Sequence, residues 1–219
     1  NKLDHIAFIM DGNNRWSKKN KVTQFYAYEK GAKNLLKLSN FIFDNYNTNF
    51  ISAFALSNNN LNRSTRLLKL ITQILNKFLD EALQKKNINF NIEFKGDFNF
   101  LENIIKKKIL IINKTKFTNL NKKLIIFINY SGKKDILKAA SSKLIINENK
   151  FRNFLFTHDL TDPDILIRTG GYKRLSDFML FEISYTELFF LNKLWPDLNK
   201  SDLIKIIEKY KKISRKFGK

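Results

Sequence analysis

Cysteine is absent from this 219-residue chain, which excludes disulfide cross-links and thiolate metal centres and fits a reducing cytoplasm. Histidine is confined to His5 and His158, too few for a zinc centre. No apolar run approaches the ~20 residues that span a bilayer. No basic stretch followed by a hydrophobic one opens the chain, so the expectation is a soluble, cytoplasmic protein. Acidic residues are outnumbered, 20 against 40 lysines and arginines, for a net charge of +20. Such a field concentrates any polyanion, but the lysines are scattered and form no stripe, so no nucleic-acid partner is expected. A salt titration separates the cases, because nucleic-acid affinity falls steeply with ionic strength. The basic surface could still rest on anionic lipid as a peripheral membrane contact.

Arginine is scarce: Arg15, Arg63, Arg66, Arg152, Arg168, Arg174 and Arg215 are all of it. In a chain that uses lysine and asparagine wherever a polar residue will serve, a retained arginine points to a need for its bidentate fork. Glycine is sparse too, and Gly12, Gly132, Gly170 and Gly171 are most of the 7 present.

What is present suffices for one core: 43% of residues are hydrophobic, and a single domain over residues 1–219 is expected. The densest chemistry lies in HIAFIMDGNNRW, His5 to Trp16. Its apolar run, Ile6 to Met10, is too short for a helix and reads as a buried strand of a parallel sheet. The run stops at Asp11-Gly12-Asn13-Asn14, the strongest turn signal in the chain. A carboxylate therefore sits at the carboxyl end of a core strand, where open α/β sheets bind ligands. Gly12 lets backbone N–H groups approach an anion, Asn13 and Asn14 add amides, and Arg15 adds a fork suited to phosphate oxygens. An acid beside an anion site suggests a bridging divalent metal or a proton acceptor. Taken alone, the segment is more simply a strand ending in an Asx-turn with a surface arginine, because turn chemistry by itself explains Asp, Gly and Asn.

Periodicity places further strands over 50–56, 88–94, 124–128 and 188–191, and helices over 28–46, 63–86, 98–113 and 133–146. A polar loop is expected over 17–24, a polar link over 147–150, a short helical piece over 151–156 and a helix over 178–185. Ser201 is the expected cap of a basic C-terminal helix. On the 63–86 helix the apolar stripe through Leu67, Ile71, Ile74, Leu75 and Phe78 is wider than one packing seam requires, although a plain core helix explains it. The segment PDILIRTGG, residues 163–171, reads as a strand breaking into a glycine turn with Arg168 at its edge. Arg174 and Ser176 follow, so two cations and a hydroxyl meet on one loop, a grouping that suits a diphosphate. A turn with ordinary surface arginines is the alternative.

The His5–Trp16 segment resembles the first signature of the cis-prenyltransferases, the undecaprenyl diphosphate synthase family. Residues 53–64, the junction NYSGKKDI at 129–136, and residues 163–198, with TEL and LWPD near their end, resemble later signatures in the same order. The resemblance implies an α/β fold: one six-stranded, mostly parallel sheet flanked by helices, with a hydrophobic tunnel walled by the two helices over 28–46 and 63–86. It implies a homodimer that binds an allylic diphosphate, usually farnesyl diphosphate, and adds isopentenyl diphosphate with Z geometry. The product would be a long polyprenyl diphosphate, undecaprenyl diphosphate, the lipid carrier for cell-wall glycans. Carried over by position, Asp11 is the catalytic carboxylate and, with Glu187, a Mg²⁺ ligand, while Asn60 is a second catalytic residue. Gly12, Asn13, Asn14, Arg15, Trp16, Gln24, Tyr28, Ser57, Leu61 and Arg63 would surround the allylic substrate. Arg168, Arg174 and Ser176 would grip isopentenyl diphosphate. The lack of an Asp-Asp-x-x-Asp motif argues against the all-helical trans-prenyltransferases.

Several positions depart from the family pattern. Gln24 and Tyr28 stand where arginine and histidine are common, and Lys18, Lys19 or Lys21 is expected to replace the lost charge. Asn14 and Ser131 replace glycines, Asn59 a glutamate, Leu61 an aromatic and Lys133 an arginine, and Lys216-Phe217-Gly218 stands where Arg-x-Gly often occurs. A non-catalytic subunit of a heteromeric prenyltransferase is the alternative. The retention of Asp11, Arg168, Arg174, Ser176 and Glu187 disfavours it, because a scaffold has no physical need of them.

Overall fold

The computed structural model describes residues 1–58, 65–84, 88–141 and 147–214. The chain runs β1 (His5–Ile9), α1 (Asn13–Lys19), α2 (Gln24–Asn45), β2 (Phe50–Ser57), α3 (Thr65–Gln84), β3 (Asn91–Gly96), α4 (Asn103–Lys114) and β4 (Lys123–Tyr130). It continues through α5 (Gly132–Ala140), α6 (Glu148–Arg152), β5 (Ile165–Arg168), β6 (Glu187–Phe190), a 3-10 turn (Trp195–Asp197) and α7 (Lys200–Lys212).

Six strands form one sheet in the order β3-β4-β2-β1-β5-β6, and every pairing among the described residues is parallel. The expected sheet was mostly parallel; here no antiparallel strand interrupts it, because a helix or long crossover separates each pair of consecutive strands. From β1 the chain steps to β2 on one side, and after β4 it crosses to β5 on the other. The carboxyl ends of β1 and β5 therefore flank the point where strand order reverses, the crevice in which doubly wound sheets hold ligands.

Burial follows the two-residue period of a strand covered on both faces. Ile6 and Phe8 enter one apolar layer and Ala7 and Ile9 the other, and on β4 Leu124, Ile126 and Ile128 alternate with Ile125 and Phe127. The first layer is closed by Leu38 of α2, Leu79 of α3, Ile109 of α4 and Ile207 of α7, each buried to within 1%. Burying each such side chain contributes about 1.5–3 kcal/mol. In the second layer Phe178 stacks on Phe54, with ring centroids 4.5 Å apart, and meets Phe127 edge-on at 5.3 Å.

Several boundaries differ from expectation, each for a local reason. The loop expected over 17–24 is confined to residues 20–23, because α1 extends to Lys19; its Trp16 is buried and the indole N–H donates to Asp197 at 2.7 Å. Helix α2 starts at Gln24 because Thr23 caps it, accepting from the Tyr26 N–H. Asn199, not Ser201, caps α7 through a reciprocal capping box with Asp202. Asn147 caps α6, so helix replaces the expected link. Residues 178–185 are turns and not a helix; left-handed backbone at Ser176, Asp177 and Met179 breaks the segment.

Candidate active site

Asp11 lies two residues past the end of β1, and Ile9 is in register with Arg168 at the end of β5. The parallel register brings the two charged residues together across 157 positions of chain. The Asp11 carboxylate accepts from Arg15 Nη2 at 3.1 Å on one oxygen and from Arg168 Nη2 at 2.9 Å on the other. Its backbone carbonyl accepts from Thr169 Oγ1 at 2.7 Å and from the Trp195 N–H at 3.1 Å, so the residue is fixed at both ends. Arg168 is 3% exposed and donates through Nη1 to Ser176 Oγ at 2.7 Å and to the Arg174 carbonyl. Arg15 donates through Nη1 to the Gly170 carbonyl at 2.6 Å. Asp11, Arg15, Arg168, Arg174 and Ser176 thus form one constellation, as the sequence led us to expect.

Tyr172 was not foreseen. Its ring lies 4.2 Å from the Arg174 guanidinium carbon, 4.9 Å from that of Arg15 and 5.8 Å from that of Arg168. The Tyr172 ring thereby gathers three like charges around it, each contact contributing about 0.5–1 kcal/mol. No periodicity or motif marks an aromatic in a glycine-started loop, so the sequence offered no signal for it. Tyr172→Leu is expected to weaken binding of inorganic pyrophosphate roughly ten- to a hundredfold by titration calorimetry, since three cation–π contacts total about 1.5–3 kcal/mol. Tyr172→Phe should bind as the parent does, because the ring and not the hydroxyl makes these contacts.

The constellation lines a cavity of about 370 Å³ with Gly12, Asn13, Asn14, Tyr28 and Ser57 on its walls. A second, apolar cavity of about 100 Å³ adjoins it and shares Met10, Asn13, Tyr28, Ala55 and Ile71. Its depth runs along α3: Ile71 stands at the junction, Ile74 and Leu75 further in, and Phe78 against Phe94 and Ile126 at the inner end. The wide stripe on α3 therefore faces this space through Ile71, Ile74, Leu75 and Phe78, of which Leu75 and Phe78 also belong to the packed core.

Other expected site residues fall elsewhere. Trp16 does not line the cavity; it is buried against Tyr26 and bonded to Asp197, and it fixes α1 to the 3-10 turn. Glu187 opens β6 in register with Ile165, which is itself in register with Ile6. That puts Glu187 at the amino end of the sheet, roughly 15 Å along the strands from Asp11 within one chain. Gln24 lies beside the cavity, and its amide donates to Asn14 Oδ1 at 2.7 Å. Lys18, Lys19 and Lys21, expected to replace the lost charge, line neither polar space. Asn60, Leu61 and Arg63 lie outside the described residues, as do Asn59 and Lys216-Phe217-Gly218. His5 sits at the far end of β1, between the Thr161 carbonyl and Ser52 Oγ, and burial pushes it down to about 4, so it is neutral near pH 7. Asp177, which the sequence did not single out, accepts from Ser131 Oγ at 2.5 Å and from the Lys133 N–H at 2.9 Å, holding the Ser176 loop to the start of α5.

Among the described residues no group of three or more histidines and carboxylates could hold a metal unaided. Among the described residues Asp11 is the one carboxylate in the cavity wall, and its side chain is 28% exposed. One carboxylate facing an anion cavity suits Mg²⁺, which binds through one or two carboxylates while substrate phosphates and waters complete its shell.

The model of the family described as "Putative undecaprenyl diphosphate synthase" matches residues 9–218. The chain is 33% identical to an isoprenyl transferase of Thermotoga maritima, over 98% of this chain and 96% of that protein. It is also 33% identical to a ditrans,polycis-undecaprenyl-diphosphate synthase ((2E,6E)-farnesyl-diphosphate specific) of Micrococcus luteus, over 98% and 90%. Among solved structures, lavandulyl diphosphate synthase from Lavandula x intermedia, in complex with dimethylallyl diphosphate, matches with a TM-score of 0.85 and 27% identity, covering 99% of this chain and 98% of that one.

Proposed function

This chain belongs to the undecaprenyl diphosphate synthase family, the cis-prenyltransferases, and we propose that it adds isopentenyl diphosphate to an allylic diphosphate, starting from farnesyl diphosphate, with Z geometry. The proposed product is undecaprenyl diphosphate, made by a Mg²⁺-dependent homodimer. One observation carries the reading: a cavity lined by Asp11 and three arginines opens beside an apolar space walled by α2 and α3. Diphosphate heads and a prenyl tail need that pairing of surfaces.

In this scheme Arg15 and Arg174, which keep exposed guanidinium edges, take diphosphate oxygens, and Ser176 adds a hydroxyl. Gly12 and Asn13 let backbone approach the allylic head. As the allylic C–O bond loosens, charge builds on the leaving diphosphate, and fixed guanidinium groups offset it without reorganising. The isopentenyl double bond attacks the freed carbon, and a proton is then lost. Mg²⁺ held by Asp11 would add Lewis acidity at the diphosphate. In support of a homodimer, β6 ends the sheet with Leu188 43% exposed and Tyr185 beside it 58% exposed. No described helix is long and apolar enough to cross a membrane.

The test is incubation of purified protein with farnesyl diphosphate, labelled isopentenyl diphosphate and Mg²⁺, followed by extraction and sizing. Labelled undecaprenyl diphosphate is expected, and chelation of the metal should abolish it; the absence of any extractable label would overturn the reading. The same assay tests the inner end of the apolar space. Phe78→Leu removes bulk where Phe78 meets Phe94 edge-on at 6.1 Å, and the product distribution is expected to move to longer chains. An unchanged distribution would mean that length is set elsewhere.

A further inference from the structure

Two arginines outside the constellation fall within the described residues, Arg66 and Arg152. Arg152 is accounted for by its fork: Nη1 and Nη2 donate to the two oxygens of Asp162 at 2.6 and 3.1 Å, and its guanidinium lies 5.3 Å over Phe181. Arg66 has no hydrogen bond or ion pair among the described residues. It lines an open cavity of about 630 Å³ with Thr23, Gln24, Phe25 and Leu70. That space shares Asn14, Tyr28 and Leu67 with the diphosphate cavity, so the two form one basin. On this wall the α2 side is neutral, Gln24 being bonded to Asn14, and Arg66 is the charged residue among the described lining.

The position of Arg66 on its helix distinguishes between the two substrates. Arg66 stands in the first turn of α3; further along the same helix Leu67 lines both polar spaces, Ile71 lines the diphosphate cavity and the apolar space, and Ile74 and Phe78 line the apolar space alone. A ligand whose anionic head meets Arg66 can lay its hydrocarbon along the same helix. Only the allylic substrate carries a hydrocarbon long enough to use that surface, whereas Arg168, Arg174 and Ser176 belong to β5 and its loop on the opposite wall.

We propose that Arg66 binds the diphosphate of the allylic substrate, supplying the positive charge that the Gln24 and Tyr28 wall lacks. The proposal rests on the prenyl-transfer reading above. It is tested by measuring KM for farnesyl diphosphate and for isopentenyl diphosphate separately. Arg66→Gln is expected to raise the farnesyl diphosphate KM roughly ten- to a hundredfold, the usual effect of losing a charge-assisted contact. The isopentenyl diphosphate KM should stay within about twofold, below the effect of any lost charged contact. Arg66→Lys should recover part of the loss, and adding Gln24→Arg to Arg66→Gln should recover most of it by returning a cation to the same wall. An unchanged farnesyl diphosphate KM, or equal rises for both substrates, would overturn the assignment. Failure of the parent protein to make any prenyl product would remove the underlying reading and the proposal with it, and it would be evident before any substitution was made.

Discussion

Asp11→Ala is expected to abolish condensation, lowering kcat by about three orders of magnitude, while thermal unfolding stays cooperative. The size follows from the several kcal/mol that a metal's Lewis acidity contributes, with about 1.4 kcal/mol to each factor of ten. The structure adds a second loss. Asp11 joins Arg15 to Arg168, and Arg168 is 3% exposed, so alanine leaves a buried guanidinium without its carboxylate. A few degrees should come off the melting temperature, because an unpaired buried charge costs about 1–3 kcal/mol or more. Asp11→Asn separates the two effects. The amide oxygen can still accept one hydrogen bond, so stability should recover further than turnover does. Near-normal turnover in either variant, with circular dichroism showing a native fold, would remove Asp11 from the chemistry.

Gly170→Ala should cost at least about a hundredfold in kcat/KM, because the loop after β5 leaves no room for a methyl group. Gly170 has φ of +87°, and a Cβ there would strike the Arg15 guanidinium and lie 3.0 Å from Asp11 Cγ. Backbone strain of about 1–2 kcal/mol would accompany the collision. Gly171→Ala is the control. It has nearly the same backbone, φ +81°, yet a Cβ would meet only Asn192 Oδ1 at 3.4 Å. Both variants should lose similar stability to strain, and only Gly170→Ala should lose catalysis. Comparable activity in the two would show that the Asp11–Arg15 pair tolerates displacement.

The parts of the site that were legible in the sequence are those where a strand stops abruptly. At Met10-Asp11-Gly12 and at Arg168-Thr169-Gly170 an apolar run meets a turn, and a parallel sheet brings such ends to one edge. The parts that were not legible depend on register or on side-chain packing. Glu187 lies in a segment that resembles the family, but motif spacing does not say at which end of a strand a residue sits. Trp16 follows the acidic turn by five positions, and without α1 in view its indole could not be turned away from the cavity toward Asp197. Helix α1 itself, NNRWSKK, has neutral propensity and no apolar stripe, and it forms because Trp16 is buried. Tyr172 and Asp177 act through contacts to residues distant in sequence or in irregular loops, which composition does not report.

If the proposed reaction holds, the adjoining polar and apolar spaces also dictate how growth proceeds. Under the proposed reaction new units would enter at the head, between the arginine walls, so that each addition would drive the older carbon atoms one step further past Ile71 toward Phe78 and Phe94, as a piston advances in a cylinder. On that reading counting would be mechanical: growth would stop when the far end of the product meets resistance, with the clamp on the head as the fixed point of that measurement. A loosened clamp should therefore show first as a blurred distribution of lengths, and only afterwards as a slower enzyme.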